Sequence, residues 1–270
     1  MLRRTTDYVR AVDNISLTMT QGENLSLVGE SGCGKTTLGR MILKLIPSDA
    51  GQILFDGQDI TRLSPRAIRP MRKNMQMVFQ DPFSSLDPRF TIQNILAEAM
   101  IFDRKRRARE KKERMIELLK AVNLPGDIRM RYPHEFSGGE RQRIAIARAL
   151  AVNPKLLILD EAISSLDVLV QEQIIQLLLD LQKKFQMTYL FISHNMRVVK
   201  RISSRVAIMY QGKIVEAAPT PEIFQNPQHV YTMELLSAAL EYKAVARTSP
   251  IILRKNAQLN DKGNGHWVLD

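Results

Sequence analysis

Gly29-Glu30-Ser31-Gly32-Cys33-Gly34-Lys35-Thr36 stands between an apolar pentapeptide, Asn24-Leu25-Ser26-Leu27-Val28, and a segment with apolar residues at Leu38, Met41, Ile42 and Leu45. The pentapeptide reads as a buried strand, and the spacing that follows predicts a helix over 37–46 that Pro47 ends. A glycine-rich turn between strand and helix, closed by Lys and Thr, matches G-x4-G-K-[ST] in the context the pattern requires. Glycines let successive backbone N–H groups turn inward onto phosphate oxygens, and the helix N-terminus adds partial positive charge. Lys35 is placed to reach the β- and γ-phosphates of a nucleotide, and the Thr36 hydroxyl to bind Mg²⁺. The candidate nucleotide-binding set is Gly29, Glu30, Ser31, Gly32, Cys33, Gly34, Lys35, Thr36 and Thr37. Cys33 reads as a small residue that the loop tolerates.

Further along, Lys155-Leu156-Leu157-Ile158-Leu159 is a continuous apolar run ending in Asp160-Glu161, the pattern of a central parallel strand with acids at its carboxyl end. Asp160 is the candidate to hold Mg²⁺ beside the phosphates. Adjacent strand residues point opposite ways, so Glu161 is expected to be free to position or deprotonate a water. Around these segments the pattern predicts a β-like opening over 9–20 and strands over 51–56, 75–79 and 189–192. It also predicts a helix-rich stretch over 91–123, helices over 137–150 and 170–185, and a hairpin from 206–209 to 213–216. Strands alternating with helices give an α/β fold with a mainly parallel sheet. Beyond about Ala244 the pattern fades into a polar tail that holds Trp267, the only tryptophan.

At 270 residues the chain is expected to form one large domain with a subdomain and a tail. A single cysteine excludes an internal disulfide framework and a cysteine zinc cluster. No apolar run is long enough to span a membrane, and the arginines near Met1 have no apolar stretch behind them, so neither a membrane span nor a secretory signal is expected. The net charge of +11 invites a nucleic-acid reading. The excess is local, however. Residues 62–73 carry five basic groups and no acid, and residues 104–114 carry eight basic groups against Glu110 and Glu113.

Phe136-Ser137-Gly138-Gly139-Glu140-Arg141-Gln142-Arg143 decides among P-loop proteins, because the chain here resembles the ATP-binding cassette (ABC) family, whose signature is LSGGQ. It departs at Phe136 and Glu140. The resemblance implies a P-loop NTPase fold with a mainly parallel core sheet, an antiparallel β subdomain and a helical subdomain. The ATPase domain is expected over 1–240, with the helical subdomain inserted at about 90–150, and a polar tail over 241–270. It further implies ATP and Mg²⁺ as ligands and Ser137, Gly138 and Gly139 as a second phosphate-binding loop. Gln80 resembles the Q-loop glutamine, which touches Mg²⁺ and water, Asp167 in Ser164-Ser165-Leu166-Asp167 the D-loop aspartate, and His194 the switch histidine beside the catalytic Glu161. Tyr8 is the candidate to stack on adenine. Ala162-Ile163 replace the family's usual Pro and Thr or Ser, with no loss of the reacting acid.

Within the family the chain is similar to ATPase subunits of dipeptide, oligopeptide and nickel importers, on Val28–Gly32, Gln80-Asp81-Pro82-Phe83-Ser84-Ser85-Leu86-Asp87-Pro88-Arg89 and Asn226-Pro227-Gln228-His229-Val230-Tyr231-Thr232. The expected partners are two transmembrane permease subunits and a second, related ATPase, a heterodimer in preference to a homodimer. A solute-binding protein on the far side of the membrane is implied indirectly, and no nucleic acid is expected. The expected location is peripheral, on the cytoplasmic face of the membrane. The alternative is a soluble cassette ATPase acting on nucleic acid or ribosomes. The two basic segments lie outside every nucleotide motif, and either face anionic lipid or permeases or form an ordinary solvated surface.

Overall fold

Eight strands form one mixed sheet in the order β4-β5-β6-β1-β7-β8-β10-β9. They are β1 (Asn24–Val28), β4 (Met75–Val78), β5 (Leu156–Asp160), β6 (Thr188–Ser193), β7 (Arg205–Tyr210), β8 (Lys213–Pro219), β9 (Leu259–Asp261) and β10 (Trp267–Leu269). A separate two-stranded ribbon pairs β2 (Leu54–Phe55) with β3 (Gln58–Asp59). The computed structural model describes residues 9–81, 85–102, 107–240, 253 and 257–269.

From β4 to β7 the neighbours are parallel, and β8, β10 and β9 add an antiparallel edge. Parallel strands need crossovers, so both faces of this part of the sheet are covered and its strands are mainly apolar. Strand β5 shows the division: Leu157 and Leu159 point into the core on one face, and Ile158 into the core on the other. The first face meets the helices Gly138–Leu150 and Val168–Phe185, and the second meets the helix Lys35–Ile42. Each of these fully buried leucines and isoleucines contributes about 1.5–3 kcal/mol relative to exposure. A charge at any of them would therefore disrupt one layer of the core.

Register sets the functional edge. Val28 of β1 lies opposite Ser193 of β6, Asp160 of β5 opposite Ile192, and Val78 of β4 opposite Leu159. Four neighbouring parallel strands thus end together, and Gly29, Gln80, Glu161 and His194 all lie just past those ends. That edge is where open α/β sheets place their ligands.

A helical lobe follows β4. It contains Ile92–Ala99, Ala108–Ala121 and the amino-terminal part of Gly138–Leu150. Met115, Leu118, Leu119 and Val122 are buried together, as their helical spacing predicts. Arg109 pairs with Glu113, both exposed, and the largely buried Arg114 with Glu117 and Asn153, so the described part of the second basic segment has local partners. Residues 103–106 of that segment lie outside the described residues. In the first basic segment the short helix Pro65–Ile68, capped by Ser64, exposes its arginine, while Arg72 is half-buried and donates to the Lys44 carbonyl.

Three expectations change. Residues 9–20 form no strand; Val12, Ile15, Leu17 and Met19 alternate inward against the core, but the backbone has no ladder partner there. The strand expected over 51–56 shrinks to two residues, turned back at Asp56-Gly57, whose φ angles of 54° and 76° are those of a tight hairpin turn. The stretch read as a polar tail supplies β9 and β10. Strand β10 pairs with β8 in the register Trp267↔Ala217 and Val268↔Glu216, which buries His266, Val268 and Leu269. Among the described residues no helix is long and apolar enough to cross a membrane.

Candidate functional site

The loop after β1 is shaped by steric need. A Cβ on Gly29 would lie 2.1 Å from the Met209 carbonyl oxygen, and one on Gly34 would lie 1.9 Å from that of Ala11. Gly34 also adopts φ +109°, a conformation open to glycine at little cost. It leads directly into the helix Lys35–Ile42, which begins two residues before the expected start and ends sooner, with Lys44 at φ 53° beyond it. Lys35 is buried and donates from Nζ to the carbonyls of Gly29 and Glu30, each at 2.7 Å. An ammonium bound to its own loop stiffens the cradle and sits at its centre. Cys33 lies 3.7 Å from Lys35 Nζ, and burial pushes its thiol up against the opposing pull of that ammonium.

Thr36 donates its hydroxyl proton to Asp160 Oδ1 at 2.9 Å, joining the P-loop helix to the end of β5. Asp160 is almost fully buried. Burial pushes its carboxyl above the usual range, the Thr36 hydrogen bond pulls it back, and the neighbouring Glu161 charge pushes it up again. A hydroxyl and a carboxylate side by side are oxygen donors suited to Mg²⁺, which takes one or two protein ligands and completes its shell with phosphate and water. Among the described residues no group of three His, Cys, Asp or Glu side chains could cage a metal alone. The donor set fits a cation brought in with a nucleotide.

Glu161 turns out of the sheet at φ 47°, with its N–H bound to the Ile192 carbonyl at 2.9 Å. That left-handed turn, and not the pleat of a strand, separates its carboxylate from that of Asp160. Such a conformation costs a non-glycine residue about 1 kcal/mol or more and is held only by surrounding contacts. Gln80 Nε2 donates to Glu161 Oε2 at 2.9 Å, and His194 Nδ1 lies 3.3 Å from Glu161 Oε1. Three residues from three loops, 33 and 81 positions apart in sequence, therefore meet on one carboxylate. Ala162 and Ile163, the departures after Glu161, are both buried in the core.

Ser137 is the N-cap of the helix Gly138–Leu150. Its hydroxyl accepts the Glu140 N–H, while Glu140 Oε2 accepts both the N–H and the hydroxyl proton of Ser137, each at 2.9 Å. Glutamate in place of the family's glutamine thus completes a charged capping box, and those two bonds hold the Glu140 carboxyl below the usual range. Gly139 packs on Val170, and Gly138 faces Leu166. The Ser137 loop therefore sits against the segment around Asp167, and among the described residues no hydrogen bond joins it to the P-loop. Asp167 caps the helix Val168–Phe185 by accepting the Val170 N–H at 3.0 Å. Thr37 lies in the first turn of the P-loop helix. Tyr8 lies outside the described residues. One residue that sequence reasoning used only as a likeness touches the site: the Tyr231 hydroxyl accepts the Glu30 N–H at 3.0 Å.

Fold and site together define a P-loop nucleotide-binding domain of the cassette type. Residues 12–164 match the profile of the ABC transporter family. Over 238 residues the chain is 52% identical to the glutathione import ATP-binding protein GsiA of Pectobacterium atrosepticum, and equally so to that of Escherichia coli. These matches cover 88% of the chain and 38% of the relative, so the chain spans well under half the length of these relatives. Among solved structures it is similar to cbiO1 from Clostridium perfringens, part of the ABC transporter complex cbiONQ. That likeness has a TM-score of 0.73 and 27% identity, covering 86% of this chain and 89% of the other. It is also similar to the dimeric ATP-binding cassette MJ0796 bound to ADP and Pi, with a TM-score of 0.70 and 29% identity, covering 78% and 90%. The chain belongs to the ABC transporter family, and it carries that family's ATP-binding domain.

Proposed function

We propose that the chain hydrolyses ATP and couples the reaction to import of a small peptide through membrane permeases. The observation that carries this reading is the convergence of Gln80, Glu161 and His194 one residue beyond the Asp160–Thr36 pair. In it, Gly29 to Thr37 hold the triphosphate, with Lys35 turning from its loop carbonyls toward the β- and γ-phosphates. Thr36 and Asp160 are the residues that would hold Mg²⁺, with Gln80 close by; the cation would neutralise charge that develops on the phosphates. Glu161 accepts a proton from the attacking water as that water bonds to the γ-phosphorus and the bond to the bridging oxygen breaks. Gln80 and His194 fix the carboxylate, and His194 is placed to donate to a γ-phosphate oxygen.

Ser137, Gly138 and Gly139 form a helix N-terminus that, among the described residues, makes no hydrogen bond to this chain's own P-loop, which supports a role in completing the site of a second cassette. Asp167 belongs to the same facing surface. The partner cassette is a related chain or a second copy, and the helical lobe, which exposes Ile101 and Met130, is the proposed permease contact. This places the chain on the cytoplasmic side of a membrane. Similarity to glutathione import proteins makes a tripeptide or other short peptide the favoured solute over nickel. The test is uptake in a strain lacking this chain, comparing labelled glutathione, a dipeptide and nickel, with co-purification of the tagged chain. Loss of peptide uptake and recovery of two polytopic membrane proteins are expected. Unchanged uptake of all three, with salt-sensitive recovery of nucleic acid, would reverse the proposal.

A further inference from the structure

The wall behind the P-loop is built by a residue far from it in sequence. Tyr231 lies in the first turn of the helix Val230–Leu240, is 1% exposed, and packs its ring against Tyr210 with centroids 4.3 Å apart. Its hydroxyl accepts the N–H of Glu30 at 3.0 Å, while the carbonyl of the same residue accepts Lys35 Nζ at 2.7 Å. Glu30 is thus held on one side by Tyr231 and on the other by the lysine of the phosphate cradle. A loop N–H bound to a phenol is not free to bind phosphate, so this contact fixes the loop's shape and leaves ligand binding to other groups. Burial pushes the Tyr231 hydroxyl well above its ordinary range, so it stays neutral and persists as an acceptor.

Tyr231 is itself held from the far edge of the sheet. Glu216, fully buried on β8, accepts the N–H groups of Gln228 and His229 at 2.8 and 3.0 Å, and His266 Nε2 meets the same carboxylate at 2.6 Å. His229 Nδ1 then accepts the Tyr231 N–H at 3.1 Å. A buried carboxylate with three donors is fully satisfied and seats the chain directly before Tyr231, with the β9–β10 hairpin closing over it.

We propose that Tyr231 is a positioning residue of the nucleotide site, whose hydroxyl, seated through Glu216, His229 and His266, holds Glu30 and the P-loop in the phosphate-binding shape. The proposal rests on the nucleotide reading given above. Tyr231→Phe removes one oxygen and keeps the ring that packs on Tyr210, so the chain is expected to fold, with stability in the absence of nucleotide lowered only by the small net contribution of one hydrogen bond. The test measures MgATP affinity by titration calorimetry on the full chain, and hydrogen exchange at the Glu30 amide without nucleotide. Tyr231→Phe is expected to weaken MgATP binding about fivefold, the scale of one lost hydrogen bond, and to speed exchange at Glu30. A purely structural hydroxyl would also speed exchange at Glu30, because its N–H loses its acceptor, but would leave MgATP affinity at the wild-type value. Wild-type binding of MgATP with Tyr231→Phe binding equally well, or an unchanged Glu30 exchange rate, overturns this proposal alone. Failure of the wild-type chain to bind MgATP overturns the nucleotide reading and this proposal with it.

Discussion

Gln80 donates its side-chain N–H to Glu161 at 2.9 Å across the gap between β4 and β5. The bond ties the loop leading to the helical lobe to the carboxylate proposed to act on water. The first prediction follows from the geometry of that carboxylate. An amide at 161 keeps an oxygen for Gln80 and offers an N–H to His194, so Glu161→Gln should leave the loops in place. It removes the proton acceptor, which is worth about 10²–10⁴ in rate. Steady-state phosphate release should fall on that scale while MgATP affinity stays within about twofold of wild type. Turnover at the wild-type rate would reassign the base.

The second prediction concerns Asp160, which is nearly buried and whose carboxyl is raised, first by burial. An acid raised in the folded chain is protonated more readily there than in the unfolded chain. Its ionisation therefore lowers stability as pH rises from the ordinary value of 3.8 through the raised one, and the full loss persists above both. Asp160→Asn keeps the oxygen that accepts from Thr36 and removes the charge. The nucleotide-free variant should melt higher than wild type at neutral pH, with the difference shrinking as pH falls toward 4. The same change should abolish the Mg²⁺ dependence of ATP binding. Equal melting of the two chains at neutral pH would show that burial of the charge costs nothing.

A third prediction tests whether the Ser137 helix is fixed by its packing on the segment after Asp167. A Cβ at Gly139 would approach Val170 Cγ1 to 2.5 Å. Gly139→Ala should therefore destabilise the chain by about 1–3 kcal/mol through overpacking, despite the better helix propensity of alanine. Val170→Ala removes the obstructing methyl groups. In a double-mutant cycle followed by denaturant unfolding, the pair should be more stable than the sum of the single changes implies. Strict additivity would mean that the two helices move apart freely.

How much of this could be read from the chain depended on distance in sequence. The P-loop and the Asp160–Glu161 pair are each contiguous, so their residues and neighbouring elements were legible. The strand pleat was the wrong reason for the separation of Asp160 from Glu161, because the turn at Glu161 lies beyond the strand and has no marker such as glycine. Gln80 and His194 could be named only by resemblance; their meeting on Glu161 depends on strands β4, β5 and β6 ending together. Residues 9–20 misled because alternation reports which side chains turn inward and says nothing about whether the backbone finds a ladder partner. Strands β9 and β10 were invisible because they are three residues each, partly polar, and are ordered by pairing with β8 and by a His266–Glu216 contact 50 residues apart. Tyr231 stood in a quoted segment, yet its contact spans 201 residues.

The last prediction uses Cys33, the only cysteine in the chain, so any thiol modification has one address. A cationic neighbour normally lowers a thiol's pKa and makes it reactive. Lys35 is such a neighbour at 3.7 Å, but burial is the larger influence, and the thiol is raised above its ordinary value of 9.0. Each unit upward reduces the thiolate at neutral pH about tenfold, and the buried sulfur is also screened from a reagent. Native chain should react with a maleimide far more slowly than chain unfolded in guanidinium, as followed by intact mass. Lys35→Ala removes the ammonium, the largest influence that favours the thiolate, and should slow the native reaction further, provided the loop stays closed. If that variant reacts faster, the two hydrogen bonds from Lys35 to Gly29 and Glu30 are what keep the loop closed over Cys33, and the lysine protects the thiol more than it activates it.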